Sequence, residues 1–147
     1  MINRLAIIGV GLIGGSLALG LKKAGQVNEV VAYARKSETR QRALELGIAD
    51  RIEGSLAETV KGADMVLLSV PMGAMADVFS ELAPLVTDTM MITDAGSAKA
   101  QVVEAARAAL GDKVSQFVPG HPIAGTEKSG PSAAFAELYQ DHRVVLT

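Results

Sequence analysis

Gly9-Val10-Gly11-Leu12-Ile13-Gly14-Gly15-Ser16 decides the reading of this chain. The apolar run Leu5-Ala6-Ile7-Ile8 leads into it, and a stretch of helical period leads out. Three glycines at G-x-G-x-x-G spacing therefore fall on a strand-to-helix turn, the context in which that motif is informative. Gly9 permits the tight turn, Gly11 lets the backbone approach an anion, and Gly14 lets the helix lie close to the strand. The positive end of the helix dipole adds to the N–H groups there, so the turn suits a pyrophosphate. The same glycines also serve a tight turn that holds no ligand.

Outward from this turn, short apolar runs alternate with stretches of helical period. Strands are expected at Leu5–Ile8, Glu29–Ala34, Ala49–Ile52, Met65–Val70, Met90–Thr93, Gln116–Val118 and Arg143–Leu146. Helices are expected at Leu12–Ala24, Glu38–Leu46, Leu56–Val60, Ala74–Leu82 and Ala98–Leu110. Gly25, Gly47 and Gly111 stop three of them, and Ser55 caps the third. Strands apolar throughout, separated by helices, indicate a mostly parallel sheet covered on both faces. The fold class is doubly wound α/β of the Rossmann kind, as a single domain over residues 1–147.

Composition narrows the function. Of 147 residues, 49% are hydrophobic, enough for a sizeable core, and the formal net charge of −2 offers no basic excess for nucleic acid. No apolar run approaches the ~20 residues that span a bilayer, and Ile2–Ile8 runs into glycines rather than a signal-cleavage site. The chain has no cysteine, which excludes disulfides and thiolate chemistry, and no metal site is expected. A cytoplasmic protein fits these features.

The end of the second strand bears on the cofactor. An NAD enzyme usually carries a carboxylate about 20 residues beyond the glycines, whereas an arginine nearby accommodates a 2′-phosphate. Here the stretch is Tyr33-Ala34-Arg35-Lys36-Ser37, with Ala34 at the acidic position. Arg35 can form a bidentate pair with a phosphate, and Lys36 and Ser37 can add contacts. NADP is therefore expected in preference to NAD, with NAD possible, unless Arg35 and Lys36 are only solvated charges. The cofactor-binding residues expected are Gly9, Gly11, Leu12, Ile13, Gly14, Ala34, Arg35, Lys36, Ser37, Ser69, Val70 and Pro71. Pro71 serves equally as a simple end to the fourth strand.

Two further polar stretches fall at carboxyl ends of strands, where ligands of open α/β sheets lie. They are Asp94-Ala95-Gly96-Ser97-Ala98-Lys99 and Pro119-Gly120-His121-Pro122-Ile123-Ala124-Gly125-Thr126-Glu127-Lys128-Ser129-Gly130, the second read as a loop. There are two histidines. His142 sits in a polar turn, while His121 is flanked by Gly120 and Pro122. Imidazole is suited to handling a hydroxyl proton near neutral pH, although a lone loop histidine is more often structural or exposed than catalytic.

Together the glycine turn, the Asp94–Lys99 stretch and the His121–Gly130 stretch resemble the prephenate and arogenate (cyclohexadienyl) dehydrogenases of tyrosine biosynthesis, over the whole chain and in order. The H-P-[ILM]-A-G-x-E-x-S-G element is the specific one. The resemblance implies NAD(P)-dependent oxidative decarboxylation of a cyclohexadienol. His121 and Ser97 would be catalytic, Ser97 also binding the cofactor by orienting its nicotinamide, with Thr126, Glu127 and Ser129 lining the substrate entrance and Lys99 pairing with Asp94. It also implies a following helical domain, absent here, that builds a homodimer and holds the substrate carboxylates; the chain alone would turn over little. Two alternatives stay open: an NADP-dependent β-hydroxyacid or imine reductase domain, and a non-catalytic NADP-sensing module.

Overall fold

The computed structural model describes residues 1–123, 134–138 and 143–146. Six parallel strands form one sheet in the order β3-β2-β1-β4-β5-β6. They are β1 (Ile2–Ile8), β2 (Val27–Tyr33), β3 (Arg51–Ile52), β4 (Met65–Leu68), β5 (Met91–Asp94) and β6 (Phe117–Val118). The connecting helices are α1 (Leu12–Lys23), α2 (Ser37–Glu45), α3 (Leu56–Val60), α4 (Met72–Leu82) and α5 (Lys99–Leu110). This is the doubly wound order in which the chain runs outward from β1 to β3, then crosses back to build β4, β5 and β6 on the other side.

Alternation along the central strands sorts the core onto two faces. Ala6 and Ile8 of β1 join Leu68, Ile92, Met75, Phe79 and Val102, so α3, α4 and α5 cover one face. Leu5 and Ile7 join Val30, Ala32, Leu67, Ala18 and Ala43, so α1 and α2 cover the other. Leu5, Ala6 and Ile7 are 0% exposed, which is why β1 reads as apolar throughout. Phe79 and Phe117 meet edge to face, 5.2 Å between ring centroids, and fix α4 against β6.

Sequence and structure differ at element ends. β1 begins at Ile2, because Ile2 and Arg4 already pair with Val27 and Glu29 of β2. β4 stops at Leu68 rather than Val70, and α4 begins at Met72, after Pro71. Ser55 does cap α3, its Oγ accepting from Glu58 N–H at 3.2 Å. The larger correction concerns residues Gly120–Ile123, which were expected to be a loop. They form β7, which pairs antiparallel with β8 (Arg143–Leu146) in a separate two-stranded sheet. Glycine and proline argue against a strand, but a two-stranded ladder leaves one edge of each strand without a ladder partner and so tolerates a residue lacking N–H. Consequently Arg143–Leu146 does not extend the parallel sheet.

At the amino edge, aspartates bind the backbone together. Asp50 Oδ2 accepts from Val30 N–H at 2.8 Å. Asp64 accepts from Asn3 N–H at 2.9 Å and Arg4 N–H at 2.7 Å, while its own carbonyl accepts from Met91 N–H at 3.0 Å. It thereby ties β1 to the start of β5. Burial pushes the Asp64 carboxyl up, but the bonds from Asn3 and Arg4 outweigh it and hold the group below its ordinary value. A depressed folded pKa contributes stability that is complete above the unfolded pKa and is lost as pH falls through the folded one. Asp64→Asn should therefore lower unfolding free energy by about 1 kcal/mol near neutral pH. Denaturant melts of the two proteins should converge as the pH is stepped down toward ~2; a gap independent of pH would show that the carboxylate charge is irrelevant.

Candidate functional site

The turn after β1 and the turn after β4 meet at the point where strand order reverses. Gly9 N–H donates to Tyr33 O at 2.9 Å, and Ser69 N–H donates to Ile8 O at 2.8 Å. Gly9 has φ of +95°, and a Cβ there would lie 2.3 Å from the Ser69 carbonyl oxygen. Only glycine fits on both counts. A Cβ on Gly14 would stand 2.8 Å from Gly9 O and 3.1 Å from Ser69 Cβ, so the start of α1 is pressed against both turns. Gly11 is the N-cap of α1 and brings no side chain to it; the first turn carries no acid, while Lys22 and Lys23 occupy the last. The positive end of this 12-residue helix thus meets no carboxylate of its own.

Beside this junction lies a cleft of about 430 Å³. Of the residues expected at the cofactor, Gly9, Gly11, Ala34, Arg35, Lys36, Ser69, Val70 and Pro71 line it. Leu12 and Gly14 are buried, Ile13 is half-buried, and Ser37 and Ser97 are exposed; none of these five lines the cleft. Ile8, Val10, Tyr33, Thr39, Ala74 and Val78, none of them expected from the sequence, also line it. Thr39 has a sequence signal: it falls in the first turn of α2, directly after the Arg35-Lys36-Ser37 turn. Among the described residues the wall contains two cations and no carboxylate. Arg35 and Lys36 are both exposed, so their charges are available to an anion arriving from solvent.

Further along the same carboxyl edge, β5 ends at Asp94, whose side chain is 0% exposed. It pairs with Lys99, as expected, and accepts from Gly96 N–H at 2.8 Å and Gly120 N–H at 3.1 Å. Ser97 lies on the exposed turn between Asp94 and α5. His121 is placed by its backbone as the second residue of β7, opposite Val145. Thr126, Glu127 and Ser129 lie outside the described residues, as does His142. Among the described residues, no group of three or more His, Asp or Glu side chains could hold a metal ion, and no helix is long and apolar enough to cross a membrane.

The back of α1 has its own role. Ser16 is fully buried and its Oγ accepts from Phe135 N–H at 3.0 Å. A Cβ on Gly15 would lie 2.9 Å from Ala134 Cβ, and one on Gly20 would lie 3.0 Å from Ala136 O. Gly15, Ser16 and Gly20 therefore seat residues 134–138 against the helix whose N-terminus faces the cleft.

Comparison with known proteins places this geometry. Residues 17–147 match the model for the prephenate dehydrogenase nucleotide-binding domain. A cyclohexadienyl dehydrogenase of Zymomonas mobilis is 41% identical over 145 residues, covering 99% of this chain and 49% of the relative. A prephenate dehydrogenase of Lactococcus lactis is 39% identical, covering 99% of this chain and 41% of the relative. The chain thus spans about half the length of these relatives, or less. Among solved structures, the Aquifex aeolicus prephenate dehydrogenase in complex with hydroxyphenyl propionate and NAD+ superposes with a TM-score of 0.90 at 34% identity, over 100% of this chain and 51% of that one. Synechocystis arogenate dehydrogenase superposes with a TM-score of 0.87 at 28% identity, over 98% of this chain and 49% of that one.

The family match begins at residue 17, just past the glycine turn, so the turn is best tested by itself. Gly9→Ala should destabilise the fold by about 3 kcal/mol, through positive-φ strain and the clash with Ser69 O. It should also weaken dinucleotide binding roughly tenfold or more as the anion-facing N–H groups shift. Calorimetric titration beside a thermal melt checks both; unchanged affinity would separate the turn from ligand binding.

Proposed function

The chain belongs to the family of prephenate dehydrogenase nucleotide-binding domains, and on that premise we propose that it is the cofactor-binding portion of an NADP-preferring prephenate or arogenate dehydrogenase. The observation that carries the reading is a shared edge. The glycine turn, the Arg35 turn, the Ser97 turn and the start of β7 all follow carboxyl ends of parallel strands, where such sheets hold ligands.

The cleft fits a dinucleotide. The space a Cβ on Gly9 would fill is closed by Ser69 O, and the opening left beside it is walled by the glycine turn, by apolar side chains such as Val70 and Val78, and by two cations. Gly9 and Gly11 would hold the pyrophosphate. Arg35, Lys36 and Ser37, joined by the Thr39 hydroxyl, would hold a 2′-phosphate. Val70 and Pro71 would border the ribose on the nicotinamide side. Ala34 in place of an acid favours NADP, because a carboxylate there would repel the phosphate.

The bound nicotinamide supplies a hydride acceptor. His121 accepts a hydrogen bond from the carbinol hydroxyl of the substrate and draws on its proton as positive character builds at the carbon. The ring carboxylate then leaves as CO2, the ring becomes aromatic, and the proton stays with the phenol oxygen. Ser97 bonds the same hydroxyl or orients His121. Thr126, Glu127 and Ser129 line the substrate entrance. The substrate's carboxylates need further basic groups, which this reading assigns to a helical domain shared across a homodimer. A cytoplasmic enzyme of tyrosine biosynthesis is the setting that follows.

Two measurements on the full-length protein test this. Arg35→Asp should weaken NADP binding by about 10- to 100-fold while sparing NAD; an unaltered NADP-to-NAD ratio would remove Arg35 from the 2′-phosphate site. His121→Asn should lower kcat with prephenate or arogenate by about 10²- to 10⁴-fold and leave NADP affinity intact. Simultaneous loss of both would assign His121 a structural role. Turnover of a β-hydroxyacid or an imine instead of either cyclohexadienol would redirect the reading to a reductase.

A further inference from the structure

Asp94 and Lys99 make an ion pair that does not line the cofactor cleft, yet it grips two separate stretches of chain. Asp94 Oδ2 takes the N–H of Gly96 at 2.8 Å, and its Oδ1 takes the N–H of Gly120 at 3.1 Å. Lys99 Nζ pairs with the carboxylate and also donates to Gly120 O at 2.6 Å. Both backbone polar groups of Gly120 are therefore held by one pair. Gly96 immediately precedes Ser97, and Gly120 immediately precedes His121.

Packing around the pair leaves little slack. A Cβ on Gly96 would lie 3.0 Å from Asp94 Oδ2. One on Gly120 would lie 3.0 Å from Asp94 O and 3.2 Å from Thr93 Oγ1, a hydroxyl that itself donates to Val118 O at 2.7 Å. The Asp94 side chain is 0% exposed and that of Lys99 17%. Charges this deep add little net stability over an apolar pair of similar volume, because desolvation offsets their attraction. An apolar pair, however, has no means of holding the peptide groups of residues 96 and 120 in one register.

We propose that Asp94 and Lys99 are positioning residues, a single buried clamp that sets where the Ser97 turn stands relative to the His121 strand. The clamp rests on the reading above of Ser97 and His121 as the reacting pair. It acts through the two backbones and does not touch substrate.

The test uses Asp94→Asn and Lys99→Met, with Lys99→Arg as the conservative variant, in the full-length enzyme. Three quantities are followed: steady-state turnover of prephenate and arogenate, NADP affinity, and amide hydrogen exchange of segments 95–98 and 119–123. The clamp predicts that exchange accelerates in both segments together. It also predicts that kcat falls about 10- to 100-fold, the scale of a displaced reacting group, with KM and NADP affinity near wild type. Lys99→Arg should recover part of the loss that Lys99→Met shows. Should Asp94→Asn fail to fold, Lys99→Met answers the same question with Asp94 and its N–H bonds in place. Loosening of one segment alone overturns the clamp, as does an unchanged kcat in a folded variant of an active enzyme. A wild-type protein that turns over neither substrate overturns the dehydrogenase reading instead, and the exchange data then decide by themselves whether the two segments are coupled.

Discussion

The contact between the Gly9 turn and the Ser69 carbonyl is the constraint on which the rest of the molecule depends. Two parallel strands adjacent in space but separated by more than fifty residues of chain must end at the same height. Their turns must then diverge, one into α1 and the other into α4. A side chain at residue 9 would lie 2.3 Å from the Ser69 oxygen. Closure at this point fixes β1 beside β4, brings Gly14 and the start of α1 down onto both turns, and leaves the opening that becomes the cleft. The two hydrophobic clusters on either side of the sheet follow from the same alignment. The pleat alternates residues 5 to 8 between the faces, and the register of β1 with β4, Ile8 opposite Leu68, sets which residues of β4 share each face.

Much of this is legible in the residues. Apolar strands with no polar alternation announced a sheet covered on both sides, and the glycine turn announced the crossover from which strand order follows. Ser55 before Leu56, and glycines after three of the helices, marked boundaries that a pattern of hydrophobicity alone would blur. What escaped had physical causes. Gly120-His121-Pro122 carries the composition of a turn, and only a partner strand some twenty residues onward makes it a ladder. The amino end of β1 was missed because Ile2, Asn3 and Arg4 are not uniformly apolar; what recruits them is pairing with β2 and the Asp64 carboxylate.

The candidate site was legible unevenly. Arg35, Lys36 and the glycines stand out because local sequence determines where a turn after a strand will lie. Thr39, Ala74 and Val78 did not, since their part in the cleft depends on which faces of α2 and α4 turn toward it. The Lys99–Asp94 pair was expected from the family resemblance, but its hold on Gly120 was not. That contact spans twenty-six residues and exists only because β5 and β6 are neighbours in the sheet. Ser16 shows the same limit. Within the motif it reads as part of a phosphate turn, whereas in the folded chain its hydroxyl receives the amide of Phe135.

Strand order has a consequence for how such a protein can change over generations. Arg35 and Thr39 stand beyond β2, on one side of the central pair β1 and β4, while Asp94, Ser97 and the start of β7 stand beyond β5 and β6, on the other. The residues that would select between two nucleotides and those that would run the reaction share no side-chain partner among the described contacts. Substitutions at sites without shared partners combine nearly additively. A lineage can therefore exchange one coenzyme for another through a few exposed positions after β2 without disturbing the buried Asp94 pair, and can retune its chemistry without first giving up its coenzyme. The doubly wound sheet separates two inheritable traits by the width of two strands.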